Sequence, residues 1–263
     1  MAETLDLPLA LQVARRAVEA AGEAALRHFR RELRIARKPD GSPVTQADLE
    51  AEQAILREVR AVFPTHAILA EESGALDGDP SFRWIVDPLD GTRGFARGGT
   101  FWGPLVALEH RGEIVAGALG LPALGETYWA ARGLGSFRNG DPVRVSEVSR
   151  ISDATLCLGE MKALLAARHG AGVRFLVESA AVTRCPGDVA GCAMLLSGRA
   201  DIWLEAGVKA WDLAAAEILV EEAGGSFTDF AGARSIARGE AVATNAALHE
   251  PVLAALSGPY PHS

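Results

Sequence analysis

Two aspartates three residues apart, Asp87 and Asp90, close the apolar run Trp84-Ile85-Val86 and are followed at once by Gly91-Thr92. The run reads as a buried strand, so the first acid falls at a strand's carboxyl end, where open α/β sheets place their ligands. Pro88 has no backbone N–H and is expected to end the strand. Two carboxylates this close repel one another unless a cation lies between them. Oxygen donors of this kind suit a hard ion, Mg²⁺ first, with the Leu89 carbonyl as a further ligand. Gly91 permits close backbone approach, and Thr92 offers a hydroxyl and an N–H to a phosphate. A strand ending in an acidic turn with no chemistry is the plain alternative, and it explains a lone Asp-Gly better than it explains the whole nonapeptide.

The segment Asp87-Pro88-Leu89-Asp90-Gly91-Thr92 resembles the metal-binding signature of the inositol monophosphatase superfamily. Trp211-Asp212-Leu213-Ala214-Ala215-Ala216, running on to Glu222-Ala223-Gly224-Gly225, resembles its C-terminal motif, and Ala70-Glu71-Glu72-Ser73 its short acidic motif. The resemblance implies an α/β fold, a five-layer αβαβα sandwich with the active site between two halves. Residues 1–150 would carry most metal ligands, and residues 151–263 would carry Asp212 and the substrate-side acids. The implied activity is phosphomonoester hydrolysis by metal-activated water, with two or three Mg²⁺ ions. By resemblance, Glu71, Asp87 and the Leu89 carbonyl hold one ion. Asp87, Asp90 and Asp212 hold a second, and a third shares Glu71. Thr92, with Asp48 behind it and Glu71 nearby, would activate the water, and the backbone at Gly91 and Thr92 would bind phosphate. Asp90, Asp188, Glu205, Arg93 and Lys38 are the candidate substrate contacts. Gly187-Asp188, Arg93 with Gly94 to Gly98, and Gly207-Val208-Lys209 look more like the histidinol phosphatase branch. Histidinol phosphate is therefore the expected substrate, with inositol 1-phosphate second and a non-catalytic regulatory scaffold as the reading from another class. The expected assembly is a homodimer.

These residues need elements to hold them. Leu9, Val13, Ala17, Ala20 or Ala21, Ala24 and Phe29 recur at helical spacing and predict one helix over 7–31. A turn-rich loop, Lys38 to Pro43, leads to Thr45, an N-cap for a helix with Leu49, Ile55, Leu56, Val59 and Phe63 on its apolar face. Asp48, three residues on, suits a capping box on sequence physics alone. Residues 66–71 read as a strand ending at Glu71-Glu72, one acid facing the site and the other turned away. Ala75 to Ser81 reads as a polar loop. Strands with hairpin spacing follow at 102–109, 114–121 and 126–131. Beyond residue 151 the pattern predicts a strand at 154–158, a helix at 161–169, a helix from Gly187-Asp188 to Ser197-Gly198 and a strand at 200–204 ending in Glu205. A long helix from Trp211-Asp212 to Glu222, strands at 226–228 and 241–244, and a helix through Leu256 complete the chain. Asp188 and Asp212 each suit a helix cap as their structural alternative.

Composition narrows the function classes. The chain has 263 residues, 49% of them hydrophobic, enough for one large domain or two fused halves. A net charge of −8 disfavours nucleic acid and anionic membranes as partners. Cys157, Cys185 and Cys192 show no CxxC spacing and read as buried thiols of a reducing cytoplasm. No signal peptide is expected, and no run of about eighteen apolar residues occurs. P-loop, GxSxG and HExxH patterns are all missing.

Overall fold

The computed structural model describes residues 5–32, 35–38, 41–166 and 168–258, except for the side chain of Asp188. Helices α1 (Leu7–Leu26) and α2 (Gln46–Val62) are separated by a short hairpin, β1 (Ile35–Arg37) and β2 (Pro43–Thr45). An eight-stranded sheet follows, built from β3 (His66–Ala70), β4 (Gly74–Leu76), β5 (Asp79–Asp90), β6 (Gly103–His110), β7 (Glu113–Leu121), β8 (Glu126–Ala131), β9 (Gly135–Arg138) and β10 (Asp141–Pro142). Its order is β10-β9-β8-β7-β6-β5-β3-β4, with β3 and β5 parallel and the other described pairs antiparallel. The short helix α3 (Thr92–Ala96) leaves the end of β5. The rest of the chain contributes β11 (Thr155–Leu158), α4 (Met161–Ala166), α5 (Gly170–Ser179), β12 (Val182–Arg184), α6 (Asp188–Leu196), β13 (Ile202–Ala206), α7 (Ala210–Glu222), β14 (Gly225–Thr228), β15 (Glu240–Asn245) and α8 (His249–Ser257). Its five strands pair in the order β12-β11-β13-β15-β14.

Strand alternation accounts for the layering, because neighbouring residues face opposite sides of a sheet. Trp84, Val86, Val106 and Leu108 pack with Val13, Ala17, Ile55 and Val59 of α1 and α2. Their neighbours Ile85, Leu105 and Ala107 pack with α6 and α7, and so do Cys157, Trp203 and Ala243 of the smaller sheet. Leu156, Leu158, Ile202 and Leu204, on that sheet's other face, cover Leu164, Leu176 and Val252 of α4, α5 and α8. The result is the expected αβαβα sandwich, with α6 and α7 as its central layer. Helix α7 shows why: every residue from Leu213 to Val220 is buried, the signature of a helix covered on all sides.

That burial includes one acid. Glu217 pairs with Arg234 Nη2 at 2.7 Å, yet burial pushes its carboxyl up from 4.5 to about 7 against that pull, and Glu221 adds to the rise. The folded chain thus holds a proton that the unfolded chain has released, so stability falls as pH rises between those two values. Melting temperatures of the metal-free protein and of Glu217→Gln, taken from about pH 5 to about pH 8, should show the variant gaining on the parent as pH rises. Parallel curves would assign the slope to other groups.

Several elements depart from the sequence pattern. Helix α1 stops at Leu26 rather than at residue 31, because the chain turns to place Phe29 against Phe95 and Trp102, with ring centroids 5.7 and 5.2 Å away. Leu49 lies outside the apolar face of α2 and is exposed. The supposed loop at 75–81 contributes to β4 and opens β5. The helix expected over 161–169 is α4, which ends at Ala166, and a further helix, α5, and strand β12 follow it without having been expected. A Cβ on Gly172 would come within 2.5 Å of the Ala255 carbonyl, so the glycine permits close packing of α5 on α8. Cys157 and Cys192 are buried as expected, whereas Cys185, just past β12, is exposed. Among the described residues no helix is long and apolar enough to cross a membrane.

Candidate active site

Strand β5 does not end at Pro88. It continues to Asp90, pairing Asp87 with Leu105 and Asp90 with Gly103, so three steps on β5 match two on β6. The extra residue makes a β-bulge, which bends a strand and re-aims its side chains. Pro88 lies inside the bulge, where its missing N–H costs the ladder nothing. Asp87 Oδ1 accepts the Leu89 N–H at 2.9 Å, fixing that carboxylate against its own backbone. Gly91 then takes φ 82° to turn the chain into α3, a backbone that a side chain would strain.

The third acid arrives from the other half of the chain. Asp212 stands in the first turn of α7, and its Oδ2 accepts the Lys209 N–H at 2.6 Å. Asp90 Oδ2 accepts the Val189 N–H at 2.5 Å, joining the bulge to the start of α6. One carboxylate oxygen from each of Asp87, Asp90 and Asp212 lies within 4.8 Å of the others. Asp87 is 1% exposed, and burial holds its carboxyl well above the usual range, with the charges of Glu71, Asp212 and Asp90 adding to the rise. Burial likewise raises Asp212, although the Lys209 N–H opposes it. A group of hard oxygen donors, one buried and two partly so, that resists ionising together fits a hard divalent cation.

Glu71 adjoins this group, and its orientation is held by two cross-connections. Lys38 Nζ lies 2.6 Å from Glu71 Oε1 and 2.6 Å from Glu72 Oε1, so neither acid turns away as the sequence suggested. Burial lowers the Lys38 ammonium, but hydrogen bonds and charges from both glutamates outweigh it and keep the lysine firmly protonated. Burial pushes Glu72 up to about 7. The turn itself is clamped from α2 by Glu52, which accepts the Glu72 N–H at 2.8 Å and the Ser73 hydroxyl. Glu52 escaped the sequence reading, yet it stands four residues from Asp48, and that spacing puts both buried carboxylates on one helix face. Glu52→Ala should leave the Glu72 N–H unsatisfied and cost about 1–3 kcal/mol of stability. It should also weaken divalent-ion affinity by loosening Glu71. A denaturation curve and a metal titration check both parts.

Asp48 closes the capping box and also faces the site. Its Oδ2 accepts from the Thr45 N–H at 2.8 Å and the Thr45 hydroxyl at 2.6 Å, closing a capping box on α2. Its Oδ1 faces the site and accepts the Thr92 hydroxyl at 2.9 Å, while the Leu89 carbonyl lies 3.0 Å from the same hydroxyl. Burial raises the Asp48 carboxyl, opposed by the hydrogen bonds from Thr45 and Thr92.

A cleft of about 510 Å³ opens over these groups, lined by Glu71, Thr92 and Arg93 from the first half of the chain and Glu160, Glu205 and Lys209 from the second. The profile of the inositol monophosphatase family matches residues 7–258. The chain belongs to the inositol monophosphatase family. It is accordingly an enzyme, a phosphoric monoester hydrolase, and its relatives within that family are named for different esters. A histidinol-phosphatase of Chlorobaculum parvum is 40% identical over 96% of this chain and 97% of its own length. An inositol-1-monophosphatase of Mesorhizobium japonicum is 36% identical over 95% and 96% respectively. The solved inositol monophosphatase of Anabaena superposes with a TM-score of 0.84 at 32% identity, covering 96% of both chains. Family membership accounts for why acids from both halves of this chain meet at one cleft.

Of the expected substrate contacts, Asp90, Arg93 and Glu205 line the cleft, and Lys38 reaches it only through Glu71. Glu205 is buried, and its Oε1 accepts the Glu160 N–H at 3.0 Å and the Ala206 N–H at 3.2 Å. Glu160 was not anticipated. It stands two residues beyond the end of β11, and an acid just past a strand's end was the available signal. The side chain of Asp188 lies outside the described residues. Its backbone opens α6, and the cap position belongs to Gly187.

Proposed function

We propose that the chain hydrolyses a small phosphate monoester with Mg²⁺ as its ion, and that histidinol phosphate is the substrate. The observation that carries the substrate reading is the pair of carboxylates, Glu205 and Glu160, on the wall supplied by the second half of the chain. A leaving group bearing an ammonium and an imidazole needs acids opposite it, because an unpaired charge in a closed site is costly. A neutral ring of hydroxyls does not. Inositol 1-phosphate stands second, on the kinship with the Mesorhizobium enzyme.

In this reading Glu71, Asp87, the Leu89 carbonyl, Asp90 and Asp212 hold the ions. When bound, they neutralise phosphate charge and acidify the attacking water. Thr92 orients that water through its hydroxyl, and Asp48 Oδ1, already accepting from that hydroxyl, takes up the proton. The N–H groups of Gly91 and Thr92 and the guanidinium of Arg93 bind the phosphate oxygens. Lys38 holds Glu71 in place until an ion takes over that role. A purely regulatory scaffold would have no use for four acids gathered at a cost in repulsion.

Side-by-side kcat/KM on histidinol phosphate and inositol 1-phosphate tests the assignment, with at least about a tenfold preference expected for the first. Asp188→Ala should cost the cationic ester about 1–3 kcal/mol of transition-state binding and leave the neutral one nearly unchanged. A clear preference for the inositol ester would overturn the substrate reading while leaving the phosphatase chemistry intact.

A further inference from the structure

A second cavity of about 510 Å³ lies beside the catalytic cleft, and Pro43 and Arg93 line both. One part of its wall is the β1–β2 hairpin, with Ile35, Arg37 and Gly41; another is α3 and its end, with Arg93 and Arg97. Three guanidiniums therefore face one concavity, and no acidic side chain among the described residues lines it. Arg16, Arg27, Arg83, Arg199, Arg234 and Arg238 all reach carboxylates. The guanidiniums of Arg93 and Arg97 make no hydrogen bond or ion pair with any described residue, and that of Arg37 makes only a long contact to the Gly41 carbonyl at 3.4 Å. A protein of net charge −8 has acids to spare, so leaving three arginines unmatched around one hollow concentrates positive charge against the general balance.

Guanidinium groups present fixed forks of N–H donors that match tetrahedral and planar oxyanions, and clustered forks repel one another until an anion joins them. We propose that this cavity is an anion subsite next to the catalytic cleft, taking a phosphate-class oxyanion. The oxyanion comes either from a second anionic group on the substrate or from free phosphate in solution. The two cavities meet at Arg93, so a ligand anchored by its reacting phosphate in the cleft can extend a second charged group past that residue. Arg37 and Arg97 line the second cavity and are absent from the wall of the cleft, which makes them separable from the chemistry.

Titration calorimetry of inorganic phosphate into metal-free protein isolates the subsite, since the bare acid cluster of the cleft repels phosphate. The parent should bind saturably, and Arg37→Gln/Arg97→Gln should bind at least about tenfold more weakly with an unchanged melting temperature. The single variants supply the same comparison should the double one be unstable. Absence of saturable binding in the parent, or equal affinity in the variants, overturns the proposal. The two sources separate on the Mg²⁺-loaded enzyme, using a sugar bisphosphate and the matching monophosphate. A loss of kcat/KM confined to the bisphosphate assigns the subsite to the substrate. Unchanged kcat/KM on both, with phosphate binding lost, assigns it to the free oxyanion. Equal losses on both esters would mean that the arginines serve the catalytic cleft, and would overturn a separate subsite.

Discussion

Asp87→Asn is expected to lower divalent-ion-dependent turnover by at least about 10³-fold while leaving the metal-free protein as stable as the parent or more so. The two effects have one cause. Asp87 is 1% exposed, and Glu71, Asp212 and Asp90 all raise its carboxyl, so its charge is set against both burial and three neighbours. Removing that charge relieves the folded apo chain, and the same charge is what a cation needs. The amide oxygen of asparagine can still accept the Leu89 N–H, so the bulge keeps its shape. Asp90→Asn and Asp212→Asn should follow in activity with a smaller gain in stability. Both are less buried than Asp87, so less desolvation is relieved. Melting curves in a chelator and across a Mg²⁺ titration read both halves. A hundredfold excess over Kd should stabilise the parent by about 2.7 kcal/mol. That gain should vanish in Asp87→Asn. A variant retaining near-parental turnover at moderate Mg²⁺ would remove its residue from the ligand set.

Much of this site was legible because its acids sit at ends of elements that punctuation marks in sequence. Asp87 closes an apolar run, Glu71 closes a strand, and Asp212 opens a helix whose uninterrupted apolar stretch signals a central layer. What the sequence hid depends on contacts between distant residues. Pro88 looked like a terminator because its effect on a ladder is local, whereas the bulge that accommodates it requires β6 as a partner. Glu52 looked like any acid on an amphipathic helix until the Glu71-Glu72 turn was folded against it. The early end of α1 follows from Phe29 finding aromatic partners nearly seventy residues away. Asp48 illustrates the opposite case. Its capping box was available in advance and holds on Thr45 through one oxygen, while the other oxygen is left to accept from Thr92.

Thr92→Ala is expected to lower kcat by about 10²–10⁴-fold with little change in the Mg²⁺ concentration for half-maximal rate. The Thr92 hydroxyl has a single proton and two acceptors within reach, Asp48 Oδ1 at 2.9 Å and the Leu89 carbonyl at 3.0 Å. Donation to Asp48 leaves the oxygen lone pairs free to accept from water, so the hydroxyl can pass a proton towards a buried carboxylate. Burial raises that carboxylate, and its hydrogen bonds from Thr45 and Thr92 oppose the rise. Thr92→Ser, which keeps the hydroxyl, should restore much of the rate. Asp48→Asn should lose a similar factor in kcat and, by weakening the capping box, about 1 kcal/mol of stability as well. If the two residues form one relay, the double variant loses little more than either single one, because a broken relay cannot be broken twice. Multiplying losses would show that they act separately. A large fall in Mg²⁺ affinity with an unchanged saturating rate would instead place Thr92 among the residues that hold the ion.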